Sequence, residues 1–169
     1  MRGRPPLSLV ALLLPGCSFA AGLLILKDQP RFHWLRQPAA YPWELAVIAL
    51  SGIAATAAGM ADWAYHRSGK AVVGPKEHRG EVAALACGGL PLFALMAAAS
   101  CRRRPEPLLI PVIVCALFTT VMICYDEFVF HLRRCGGYET SLHRLLVFGN
   151  GIAWLAWMHW CFARGGAHA

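Results

Sequence analysis

Five long apolar blocks, separated by short polar stretches, organise the 169-residue chain. They run from Leu7 to Leu26, Glu44 to Trp63, Val82 to Cys101, Leu108 to Tyr125 and Leu145 to Ala163. Each is close to the ~20 residues a helix needs to cross ~30 Å of hydrocarbon. None alternates with a period of two, and backbone amides and carbonyls cannot stay unpaired in lipid. Blocks of this kind therefore predict transmembrane helices. The second block carries Ser51, Ala55 and Gly59 at four-residue spacing. Such a stripe of small side chains lets a neighbouring helix approach closely, although general Ala and Gly abundance accounts for it equally well.

The first block admits two readings. Arg2 and Arg4 precede it, and Leu14-Pro15-Gly16-Cys17 loosely fits a lipoprotein cleavage site, so it has the outline of a secretory signal. Its apolar run continues past Cys17 to Leu26, and this favours a retained helix.

The polar stretches hold an internal repeat. With the chain slid 65 residues against itself, Asp62-Trp63-Ala64-Tyr65-His66 lies over Glu127-Phe128-Val129-Phe130-His131. In the same alignment, without a gap, His78-Arg79 lies over His143-Arg144. In each copy the acid-x-x-x-His element ends one predicted helix and the His-Arg element begins the next. The expected architecture is thus an all-α integral membrane protein, a four-helix transmembrane bundle made of two duplicated helical hairpins. Residues 1–40 form an N-terminal transmembrane helix and connection, 41–104 the first hairpin and 105–169 the second. Hairpins running in the same sense are related by an axis along the membrane normal, which places both turns on one side of the bilayer.

Composition agrees with that class. The chain is 57% apolar and 15% charged, against about a quarter charged in a soluble domain, and its mean hydropathy is +0.49. The net charge of +7 sits in the connections, as at Arg102-Arg103-Arg104, where basic side chains meet lipid headgroups. No soluble region is large enough for a nucleic-acid surface, so the expected partners are the bilayer and other membrane subunits. Counted over five spans, the N-terminal side carries nine Lys and Arg and the other side seven, a lean towards a cytoplasmic N-terminus in an inner or plasma membrane. The seven cysteines include no C-x-x-C pair, which argues against thiol-redox chemistry and thiolate zinc.

The repeat also carries the candidate chemistry. Residues four apart on a helix share a face, so Asp62 with His66, Glu127 with His131, and Glu139 with His143 can each aim an oxygen and an imidazole at one point. His78 and Glu81 do the same at three-residue spacing. Ionisable groups near hydrocarbon cost about 2.5–3.5 kcal/mol each even on the lenient insertion scale, so their clustering points to function. Mixed imidazole and carboxylate ligation suits iron first, with manganese or zinc as alternatives. The plan shares its logic with dimetal-carboxylate bundles, although the Glu-x-x-His of soluble di-iron bundles is replaced here by acid-x-x-x-His.

The expected metal ligands are Asp62, His66, His78, Glu81, Glu127, His131, Glu139 and His143. Asp126, Arg79 and Arg144 are expected to support them by moving protons or orienting carboxylates. The function this predicts is a membrane metalloprotein, with one or two metals at the hairpin ends, performing redox or oxygen chemistry on a lipid-soluble substrate. The competing readings are a heme- or quinone-binding subunit, with His66 facing His131 across a heme, and a purely structural salt-bridge network. His159, within Trp157-Met158-His159-Trp160, is expected to anchor the last helix at the interface. Glu44 is expected to stabilise the first turn of its helix through the helix dipole.

Overall fold

Every regular element among the residues described by the computed structural model, 7–68, 75–131 and 136–164, is helical. Four helical stretches are long and apolar enough to cross a membrane: Trp43–Arg67, Val82–Ser100, Glu106–Val129 and Gly137–Ala163. These contain the second to fifth apolar blocks almost in full. A fifth arises if Leu12–Leu26 and Pro30–Arg36 are counted as one broken span, bent by 106° at the break.

Helix α1 (Leu7–Leu26) is apolar on all sides and contains Pro15. It stops where Lys27-Asp28-Gln29-Pro30 brings charge and a proline. A short 3-10 segment, Pro30–Arg36, follows. Arg36 fastens this corner by donating to the Asp28 carboxylate at 2.8 Å and to the Lys27 carbonyl at 3.2 Å. Phe32 and Leu35 are buried beneath the segment, and the Tyr41 hydroxyl donates to the Leu35 carbonyl at 2.8 Å.

Helix α2 (Trp43–Arg67) starts just past Pro42, with Glu44 in its first turn and His66 and Arg67 in its last. Helix α3 (Pro75–Ala84) runs through a π-helical turn, Leu85–Gly89, into α4 (Leu90–Ser100). Pro91 lacks the amide that an α-helix would direct at the preceding turn, and a wider turn just before it accommodates that loss. Helix α5 (Leu109–Asp126) has Pro111 in its first turn, where its missing amide is harmless, and closes in a second π-helical stretch, Glu127–His131. Helix α6 (Gly137–Met158) likewise ends in a π-helical turn, His159–Ala163.

The chain divides into two compact units. The first comprises Met1–Ala64 and Ser141–Ala169, and its centre is a close antiparallel contact between α2 and α6. Ala55 and Ala58 are buried. A Cβ added at Gly149 would stand 2.9 Å from the Ala55 Cβ and 3.0 Å from the Ser51 carbonyl oxygen. One added at Gly59 would meet Leu12 at 2.5 Å and Leu146 at 3.3 Å. The stripe Ser51-Ala55-Gly59 is therefore a packing face, where the lack of side-chain bulk brings two helices together.

The second unit, Tyr65–Thr140, is held by α5 lying along both α3 and α4. Gly88 is buried there, with Thr119 and Phe118 where its Cβ would be. Val112 and Ala99 are buried as well. Most large apolar side chains face outwards, among them Ile110, Val114, Leu117 and Val121 of α5.

Candidate metal centre

Asp62 and His66 lie one turn apart near the end of α2, so the four-residue spacing aims them in similar directions. Glu139 lies in the first turn of α6, just after Gly136 and Gly137. Its carboxylate Oε1 is 3.2 Å from His66 Nε2, and its side chain is almost completely buried. One ligand atom from each of Asp62, His66 and Glu139 can be chosen so that all three lie within 4.8 Å of one another. Ligands at ~2.1 Å from a metal lie about 3.4 Å apart in a tetrahedral site, so the three side chains would have to draw together to close on an ion. Tyr65 and Tyr138 pack against each other beside it, with ring centroids 5.6 Å apart, and Tyr65 also meets the His66 ring edge-on.

Charge defines what this group can hold. Two carboxylates and a neutral imidazole carry −2 together, and a divalent cation balances them without a proton. Two oxygens and one nitrogen are donors for iron, manganese or zinc. Three protein ligands also leave coordination positions open, as in catalytic rather than structural sites.

Among the five expected ligands whose side chains are described, the structure brings together three. Asp62 and His66 are one intact acid–His pair, whereas Glu139 joins them from a different pair. Glu127 and His143, both half-buried, stand outside the group formed among the described residues. Glu127 begins a π-helical stretch, whereas Asp62, which aligns with it at the 65-residue offset, sits in regular α-helix, so the two positions differ in local backbone. Asp126 is half-buried at the end of α5, and Arg79 and Arg144 are exposed. The side chains of His78, Glu81 and His131 lie outside the described residues, as do Arg2 and Arg4.

A second polar cluster, which spacing did not reveal, lies at the other end of α2. Glu44 is fully buried. His159 donates from Nδ1 to its Oε1 at 2.7 Å, and Arg164 donates to Oε2 at 3.1 Å. The His159 ring also packs on Trp43, centroid to centroid 5.4 Å. Glu44 is thus more than a first-turn charge on a helix dipole, and His159 more than an interfacial anchor. The available signal was topological: if the chain crosses a bilayer five times, as the apolar blocks predict, Glu44, His159 and Arg164 share one side of it, and a lone acid in an apolar block needs a partner there. No protein-family model, curated protein sequence or solved structure matches the chain, so the chemistry of both clusters rests on their own residues.

Proposed function

We propose that this chain is an integral membrane metalloprotein that holds a metal ion through Asp62, His66 and Glu139. The observation that carries the reading is the near-complete burial of the Glu139 carboxylate within ligand distance of His66 and beside Asp62. Two carboxylates around one imidazole are a donor set for a cation, and they suit a bare metal ion better than heme, which needs no carboxylate neighbours. The membrane setting is supported by the four membrane-length apolar helices and by their exposed Ile, Val, Leu and Phe side chains, which are unsuited to water in such number.

Iron is the metal of choice for the open-sided donor set, and the reaction class is redox or oxygen chemistry on a lipid-soluble substrate. Glu127, His131, His143, His78 and Glu81 are the residues that would complete a second metal position, as the repeat predicts. The test is elemental analysis of detergent-purified protein from metal-replete cells, wild type beside His66→Ala and Glu139→Gln, with helicity and elution volume as folding checks. About one equivalent of iron, manganese or zinc in the wild type, lost in both folded variants, is the expected result. Absence of metal from the wild type, or its full retention in both variants, would sink the reading.

A further inference from the structure

His159, the one member of the polar cluster to reach it, lines a groove of about 260 Å³ together with Trp43, Val47, Ile152, Leu155 and Ala156. We infer that this groove binds a membrane-soluble phenol, a hydroquinone with an apolar tail, whose hydroxyl donates a hydrogen bond to His159 Nε2. His159 donates from Nδ1 to the Glu44 carboxylate at 2.7 Å, so Nε2 is the ring nitrogen left for a ligand. The ring is half-exposed and forms part of the groove wall. A phenolic hydroxyl can give its proton to that nitrogen, which a carbonyl or an ether cannot.

The groove is graded in polarity along its length. His159 and Trp43 lie at the ends of their membrane-length helices. Ile152 lies seven residues, about 10 Å, further along α6 towards the middle of the span. The polar end of the groove is therefore at the level of the headgroups and the rest is aliphatic, which matches an amphiphile with its ring at the interface and its chain in the bilayer. The volume exceeds the 150 Å³ cavity known to accept benzene, so a substituted single ring fits, and the Trp43 indole supplies an aromatic wall for it.

This site is independent of the proposed metal. Glu44 and Asp62 are eighteen residues apart on one continuous helix, or about 27 Å, so a ligand here does not touch the metal centre.

The experiment is equilibrium binding of decyl-hydroquinone to the full chain in lipid nanodiscs, beside its dimethyl ether, which keeps the ring and the tail but has no hydroxyl. One saturable site, with the ether bound at least tenfold more weakly, is the expected result. His159→Gln should weaken the hydroquinone at least tenfold. Ile152→Trp, which fills the groove from an exposed position and leaves the polar cluster alone, should do the same. Equal binding of hydroquinone and ether, unchanged affinity in the folded Ile152→Trp protein, or no saturable binding to the wild type would overturn the inference. Metal content in Ile152→Trp should equal that of wild type, so failure of this site and failure of the metal centre are told apart.

Discussion

Gly149 and Gly151 lie two residues apart on α6, and substituting each by alanine isolates the helix contact that organises the first unit. A methyl group at position 149 would lie 2.9 Å from the Ala55 Cβ and 3.0 Å from the Ser51 carbonyl oxygen, whereas one at position 151 would meet nothing within 4 Å. Ordinary carbon contacts are about 3.5–4.0 Å, so α2 and α6 would have to part by roughly 0.5–1 Å to admit the first methyl. A gap of that size forfeits about a quarter to a half of the dispersion energy of each contact along the seam, and overpacking of this kind costs about 1–3 kcal/mol. Both substitutions gain about 0.8–1.0 kcal/mol of helix propensity.

The propensity gain cancels in the difference between the two variants, leaving the steric cost alone. Gly149→Ala should therefore be less stable than Gly151→Ala by about 1–3 kcal/mol. Gly151→Ala itself should match or slightly exceed wild type. The assay is reversible unfolding in mixed micelles titrated with dodecyl sulfate, followed by tryptophan fluorescence and helicity. If the two variants unfold within about 0.5 kcal/mol of each other, inside the usual scatter for surface substitutions, the packing face on α2 is misassigned.

Three further outcomes follow from the same geometry. Gly88→Ala should destabilise by about 1–2 kcal/mol, because the new Cβ would stand 2.5 Å from Thr119 Oγ1; adding Thr119→Ala should recover at least half of the loss in the same titration, and no recovery would exclude this contact as the cause. In a double-mutant cycle with Glu44→Gln and His159→Phe, the 2.7 Å charge-assisted bond should appear as a coupling of about 1.5–3 kcal/mol, and additive effects would argue that the pair does not form in the bilayer. Replacing Asp62 by Asn should lower affinity for added Mn²⁺ or Zn²⁺ at least tenfold by isothermal titration, while His33→Ala, on the connection at Pro30–Arg36, should bind as wild type. A fall in both variants alike would point to general damage rather than to a ligand.

Part of the candidate site is legible because it is local. Asp62 and His66 are joined by one turn of α2, so helical geometry alone puts them on one face. The same rule applied to Glu139 and His143 looks along one helix only, whereas Glu139 also lies 3.2 Å from His66 of α2. The small-residue stripe was equally visible, yet nothing in its spacing says that Gly149 would be what packs against it. Glu44 looked like a helix-start charge because its partners, His159 and Arg164, are 115 and 120 residues away.

The sequence by itself determined the class: helices in membrane-length apolar segments with polar breaks, the only regular structure among the described residues. Hydropathy and the pairing of backbone groups within a helix depend on a residue and its near neighbours, and those are written in order along the chain. Only the tertiary structure decided that α2 lies antiparallel against α6 in the first unit, with Glu44 beside His159 and Ala55 beside Gly149. It also decided that His66 meets Glu139. The physical reason is that apolar helices attract one another with little preference for partner, and the choice falls to short-range fit and to the few polar groups that must be satisfied. Those terms exist only once two distant segments are side by side.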